Sequence, residues 1–328
     1  MAKQMPSFFD PRKAKDFYRP NLQKAREEGQ RMRVSPAGKQ FQEGNGGLLL
    51  GIDWELDFAD DGRLAVPGFY NDLGRFCEHM IQGTLEEVYT TFMFTIDSHP
   101  QLVIHGFNWY KGENGEILWF DFPIQLELND PTDKSFNILM PDGTPTGKKA
   151  FPRYRGKHTV AYAQHLQATG QGNIWVFAPH CVQGTDGVTF PSLLTETIEF
   201  CSAARDINVI YVYKGFIEDT DWFGAFRPCM PRPGHPQGDW QTMYLDLIPK
   251  HKITRIAGQA DEFCVRFSTQ QIRDYAVNEV KNPGMLNSIE FLSDCTSPIV
   301  AANPMVKQWK QDVAKDGIKF VESNRIHY

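Results

Sequence analysis

No stretch of this chain is apolar for long enough to cross a bilayer as a helix. The longest purely apolar runs, at 48–50 and 299–302, fall far short of the ~20 residues a span needs. A membrane is therefore not an expected partner. The opening MAKQMPSFFDPRKAKDF mixes Lys, Arg and Asp with aromatics and has no apolar core before a small-residue cleavage site, so a secretory route is not expected. The six cysteines (Cys77, Cys181, Cys201, Cys229, Cys264, Cys295) are scattered without a CxxC pair, which is not how a secreted disulfide scaffold is written, and they are expected to be reduced thiols in a cytoplasmic setting. Positive charge is not in excess either. With 34 Lys and Arg against 40 Asp and Glu, the net charge of -6 supplies no field for phosphate backbones, and nucleic acid is not an expected partner. Internal repeats and low-complexity segments are absent as well. What remains is an ordinary globular composition, 41% hydrophobic and 23% charged, in 328 residues, long enough for one large core and suited to a small-molecule substrate.

Six short apolar, β-branched or aromatic runs read as buried strands: 47–53, 88–97, 173–178, 208–214, 253–258 and 288–293. Amphipathic helical patterns separate most of them, at 69–81, 159–168, 191–204, 240–248 and 265–280; in the first, Leu73, Phe76, Cys77 and Met80 recur at three- and four-residue spacing. Strand alternating with helix implies crossover connections and a parallel sheet covered on both faces. The expected fold class is α/β, a three-layer α/β/α sandwich on a mainly parallel six-stranded sheet.

Three regions fall outside the alternation. Residues 1–45 are charged and carry several Gly and Pro, and read as an N-terminal extension, partly helical. Residues 101–156 are an insertion inside the main domain of 46–302, with Trp109, Tyr110, Trp119, Phe120 and Phe122 around the hairpin-like GENGE. Such aromatics more often build a small core than a substrate box. The tail 303–328 reads as a polar helix held down by Trp309 and Val313.

The residues able to do chemistry follow the strands at their C-terminal ends, where open parallel sheets bind ligands. Asp53 ends the first strand, Asp97 and His99 the second, His180 follows the third, Lys214 ends the fourth and Cys264 lies just past the fifth. Alone, Cys264 is more often a small buried hydrophobe, Lys214 a solvated lysine and Asp53 a turn or cap residue. Together they are a nucleophile, a cation and a base, the set that acyl transfer requires, with the thiolate favoured at a helix N-terminus. Asp97 and His99, two apart on extended backbone, point the same way, and with His180 offer two imidazoles and a carboxylate suited to zinc, or to iron or manganese. His105, His158 and His165 have no spacing that compels a role. GNGG at 45–48 precedes a strand and is a turn rather than a phosphate loop.

The linked segments GIDWELDFADDGRLAVPG, TIDSHP, APHCVQGT, YVYKGF and AGQADEFCVRFS, in this order across about residues 47–295, closely resemble the signatures of nicotinamidases in the isochorismatase-like cysteine hydrolase superfamily. The resemblance implies a triad of Asp53, Lys214 and Cys264 and a divalent metal, usually zinc, on Asp97, His99 and His180. It also implies a cis peptide from Gln259 to Ala260, an oxyanion hole formed by the N–H groups of Ala260 and Cys264, and ring-binding walls at Phe58, Phe177, Trp222 and Phe223. The activity it implies is hydrolysis of nicotinamide or a pyrazinamide-like carboxamide to the acid and ammonia through a thioester. Two alternatives are another small-amide or carbamoyl hydrolase of the same superfamily, and a noncatalytic assembly protein on this fold.

Departures from the family lie at position 259, usually small and aliphatic but here Gln, at Phe177, where Trp is common, and in the N-terminal arm; Cys181 beside His180 has the chemistry to ligate a metal, but the family segment implies packing. The long insertion is a further departure. It begins just after two metal-ligand candidates, so it either closes over the site or builds a subunit interface, and a homo-oligomer is the expected assembly.

Overall fold

The computed structural model describes residues 4–300 and 304–326. Among the described residues eleven strands are formed: β1 Gly47–Ile52, β2 Tyr89–Asp97, β3 Tyr110–Lys111, β4 Ile124–Asp130, β5 Ser135–Leu139, β6 Pro145–Pro152, β7 Ile174–Val176, β8 Asn208–Lys214, β9 Ile253–Gly258, β10 Ile289–Leu292 and β11 Lys319–Val321. The main sheet has six strands in the order β11-β10-β9-β1-β2-β8, and each neighbouring pair is parallel. Its centre is dry: all six residues of β1 and all nine of β2 are buried. Runs of Leu, Ile, Phe and Thr without polar alternation are what strands covered on both faces require.

The cover can be traced through the register. Leu50 stands opposite Met93 and Ile256, and Ile256 opposite Phe291, so these four side chains share one face. On that face Phe291 meets Trp309 of the helix Pro304–Lys315 edge to face, at 5.6 Å between ring centres. The next row, Gly51 and Phe94, points the other way, and Phe94 meets Phe76 of the helix Phe69–Leu85. Helices on both faces make the three-layer α/β/α sandwich expected from the strand and helix pattern.

One strand expected in the sheet lies elsewhere. The run 173–178 contributes β7, which pairs antiparallel with β4 in a second sheet of order β3-β6-β5-β4-β7. A short apolar run announces burial but not its partner, and the insertion offers β4 a nearer edge. The sixth place in the main sheet is taken instead by β11, in the tail, parallel to β10. The tail thus adds a strand as well as the expected helix, with Trp309 and Val313 buried.

Within the insertion, Trp109, Tyr110, Leu126, Phe136 and Ile138 are buried, whereas Trp119 and Phe122 are exposed. The GENGE segment turns as a hairpin, Gly112 N–H donating to the Glu116 carbonyl at 2.8 Å, with Gly115 at φ 86°. In the N-terminal extension the helix Leu22–Arg31 lies on the helix Ser192–Arg205. The pattern at 240–248 yields only a helical turn, Thr242–Leu245, before a 3-10 turn at Ile248–Lys250 that carries Pro249.

Candidate active site

The C-terminal ends of β1, β2, β8 and β9 converge on one buried cluster. Asp53 follows β1 at φ 48° and is fully buried; its N–H donates to Thr95 Oγ1 at 2.9 Å, and the Thr95 hydroxyl donates back to Asp53 Oδ1. Lys214 ends β8 opposite Asp97 in the register of the sheet. Its ammonium, 1% exposed, lies 3.0 Å from Asp53 Oδ2, 2.8 Å from Asp97 Oδ1, 3.2 Å from the Trp222 carbonyl and 3.7 Å from Cys264 Sγ. The ammonium thus donates to the Trp222 carbonyl and to Cys264 Sγ and pairs by charge with both carboxylates. The Cys264 thiol and the Asp53 carboxyl, on either side of this ammonium, influence each other's protonation.

Cys264 comes from the turn after β9. The Gln259–Ala260 peptide is cis, and residues Asp261–Val265 wind as a wide π turn before the helix Arg266–Asp274, with the Phe263 and Val265 amides both donating back to the Ala260 carbonyl at 3.1 and 3.2 Å. Such wide turns are frequent at functional sites. Gly258 admits the approach: at φ 143° a Cβ there would stand 2.0 Å from the Ile52 carbonyl oxygen.

Burial dominates the electrostatics. It pushes the Cys264 thiol well above its ordinary value, against the pull of Lys214 and with the help of Asp53. It raises Asp53 too, with Lys214 again opposing. Burial would also raise Asp97, but His99, Lys214 and His180 outweigh it and hold that carboxylate ionised. For Lys214 the penalty of burial is overcome by Asp53 and Asp97, and the ammonium keeps its proton. The resting set is thus a thiol, a carboxylate shifted towards the range of a useful base, and a fixed positive charge.

The histidines sit beside this set. His99 Nε2 lies 2.8 Å and His180 Nε2 3.7 Å from the same oxygen, Asp97 Oδ2. Their outer nitrogens face backbone carbonyls, His99 Nδ1 that of Gly215 at 3.2 Å and His180 Nδ1 that of Ala178 at 2.8 Å. In the neutral tautomer that donates Nδ1–H to its carbonyl, the Nε2 lone pair faces inward, as ligation of a cation requires; without a cation, His99 Nε2 shares a hydrogen bond with Asp97. Gly215 allows this close approach, since at φ 84° a Cβ would fall 2.6 Å from His99 Nδ1. His180 arrives by a different route from the one expected. It follows β7 of the second sheet, and its segment is laid beside His99 by a parallel bridge, His99 N–H to the Cys181 carbonyl and Gln183 N–H to the His99 carbonyl.

A third imidazole joins them. His105 brings a ring nitrogen within 4.8 Å of those of His99 and His180, all three buried. Three imidazoles and a carboxylate are a donor set that fits zinc or another divalent transition metal. The sequence reading passed over His105 because it follows His99 by six residues of irregular chain. The available signal was the crowding of Asp97, His99 and His105 into nine residues.

Phe58, Phe177, Trp222 and Phe223, the expected walls, all line one cavity of about 30 Å³ together with Cys264, Ala260, the three histidines, Lys214, Asp97 and Asp221. Phe263, Leu64 and Ile299 complete its apolar lining. That free space holds little more than a water molecule, so these side chains would have to part to admit a ring. Gln259 is absent from the lining. Its amide donates to Asp72 Oδ2 at 2.9 Å and its oxygen accepts the Ser297 N–H at 3.1 Å, so the departure from a small aliphatic residue serves the scaffold and not substrate fit. Cys181 is pinned by its N–H to Asp57 Oδ2 at 2.6 Å and packs, as its segment implied. Glu55, unremarked in the sequence, is fully buried and accepts the Asp97 N–H; burial, with Asp53 and Asp97 nearby, raises it well above the usual carboxyl range.

Neither a family model nor a curated protein sequence matches this chain. Solved structures do. A nicotinamidase/pyrazinamidase of Acinetobacter baumannii is similar at a TM-score of 0.52 and 16% identity, over 85% of this chain and 97% of that one. An L. infantum protein in complex with nicotinate (TM-score 0.49, 17% identity, 89% of this chain and 97% of that one) and a yeast nicotinamidase bound to the inhibitor nicotinaldehyde (0.49, 17%, 84% and 99%) also align. The likeness to the first shows that this chain shares its α/β fold.

Proposed function

We propose that this protein is a cysteine amidohydrolase with a divalent metal centre, hydrolysing nicotinamide or a closely similar ring carboxamide to the acid and ammonia. The observation that carries the reading is the placement of the Cys264 thiol against the Lys214 ammonium, which also pairs with the Asp53 carboxyl, in the lining of an aromatic-walled cavity that the three histidines share. Asp53 takes the thiol proton and Cys264 sulfur adds to the amide carbon. The oxyanion is received by the N–H groups of Ala260 and Cys264, while Lys214 balances the charge on sulfur and on Asp53. Asp53 then protonates the leaving nitrogen, ammonia departs and a thioester remains. Water, giving its proton to Asp53, cleaves the thioester, and the proton returns to sulfur as the acid leaves.

Asp97, His99 and His180, with His105, would hold the metal, most simply zinc, with iron or manganese as alternatives of similar ligand preference. When bound it would supply a Lewis-acidic position for a ring nitrogen of the substrate. Phe58, Phe177, Trp222 and Phe223 clamp a flat ring and exclude water from the reacting carbonyl. A product acid and ammonia would place the reaction in pyridine nucleotide salvage, and the free thiols suit a reducing, cytoplasmic compartment. The test is an ammonia-release assay over a panel of small amides, including nicotinamide, pyrazinamide and carbamoyl compounds. Release from the ring carboxamides by metal-replete protein, lost in Cys264→Ala, supports the reading; release confined to carbamoyl compounds would replace the substrate, and release from none would reject catalysis.

A further inference from the structure

One buried charge beside the cavity has no part in these steps. Asp221, 5% exposed, lies on the segment after β8, and its Oδ1 accepts the Trp222 N–H at 2.6 Å. Its own N–H donates to the Tyr162 hydroxyl at 3.3 Å, so the residue is held at both backbone and side chain. The same Oδ1 lies 3.2 Å from Nδ1 of His105. At the present ring angle that nitrogen makes no hydrogen bond, and the Asp221 carboxylate is the acidic group beside it. His105 in turn packs edge-on against His99, with ring centres 4.3 Å apart.

The three histidines therefore differ in how they are held. His99 and His180 are oriented by backbone carbonyls, whereas His105 faces a carboxylate. We infer that Asp221 is a positioning residue for the metal centre, its carboxylate taking the Nδ1–H of His105 and so presenting the opposite ring nitrogen as a ligand. The inference rests on the metal-centre reading above. A carboxylate in this place fixes tautomer and ring orientation and makes the ligating nitrogen more basic, and loss of such a partner typically costs about 10- to 100-fold in metal affinity. Fixing matters most here, because His105 stands in the turn at 104–105, while Asp97 ends a sheet strand and His99 follows two residues later.

The experiment is a zinc titration of chelator-stripped protein against a chromophoric competitor, for wild type, Asp221→Asn, His105→Ala, the double variant and His99→Ala. Asn retains an acceptor for the Trp222 N–H and nearly the same volume but lacks the charge. The expected result is a 10- to 100-fold weaker site in Asp221→Asn and no further loss when that change is added to His105→Ala, since Asp221 acts through His105. Unchanged affinity in Asp221→Asn, or losses that add in the double variant, would overturn the inference. Should Asp221→Asn fail to fold, long-range nitrogen–proton NMR of zinc-loaded wild type reads the tautomer directly: a proton on His105 Nδ1 is expected, and metal on Nδ1 would overturn it. Failure of the underlying reading looks different. Wild type that takes up no stoichiometric zinc rejects the metal centre and the inference together, whereas uptake lost in His99→Ala and untouched in Asp221→Asn rejects the inference alone.

Discussion

The ammonium of Lys214 lies 2.8 Å from Asp97 Oδ1, while the other oxygen of that carboxylate faces His99 and His180. One carboxylate thus joins the cation that sits against Cys264 to the histidines that would hold a metal. Substitutions on either side of Asp97 should be felt on the other.

Lys214→Met tests the charge balance. It leaves Asp53 and Asp97, both buried, without their shared counter-ion. Breaking a buried pair in this way costs about 3–5 kcal/mol. Denaturant unfolding should show a loss of that order, with activity abolished; a variant as stable as wild type would contradict the arrangement.

Asp53→Asn removes the proton acceptor and keeps the shape. The Thr95 hydroxyl can still donate to the amide oxygen, so the fold should survive. A positioned general base contributes about 10²- to 10⁴-fold. A kcat lowered by that factor, with circular dichroism unchanged, is the expected outcome.

Gln259→Leu should separate scaffold from substrate. The Gln259 amide bonds Asp72 and the Ser297 backbone rather than the cavity. Loss of these buried bonds should lower stability by about 1–3 kcal/mol, with KM unaltered. A KM change without a stability change would show that the side chain acts on the ligand.

Acid sensitivity should include a term from His79. Burial, reinforced by the charge of Arg255, lowers its pKa from the ordinary 6.5 to about 3. The unfolded chain therefore binds a proton that the folded chain refuses between these values. The stability this confers is fully present above pH 6.5 and declines as pH falls towards 3, by at most about 1.4 kcal/mol per pH unit. Urea midpoints from pH 7 to pH 4 should fall less steeply in His79→Leu than in wild type; parallel slopes would remove His79 from the account.

Much of the site was legible because parallel-sheet chemistry is written at strand ends. Asp53, Asp97, Lys214 and Cys264 could each be placed by the apolar run that precedes it, and the structure brings all four together. His180 shows the limit of that logic. It stands at the cluster, but its strand belongs to the antiparallel sheet, and a bridge at 99 and 182 rather than strand order brings it in. β11 was illegible because three residues after a polar helix carry no periodicity to count. His105 and Asp221 lie on irregular chain, where neither a period of 2 nor one of 3.6 predicts direction, and only the folded geometry pairs them. Gln259 was visible as a departure, but the direction its side chain takes was not.

The most direct test of the central claim is intact-protein mass spectrometry of acid-quenched reactions, metal-replete protein mixed with nicotinamide or pyrazinamide and stopped within the first turnovers. The account predicts an added acyl mass that maps to Cys264, labile to hydroxylamine, and absent from Cys264→Ala. Ammonia released at the wild-type rate by Cys264→Ala, with no adduct on either protein, would contradict it.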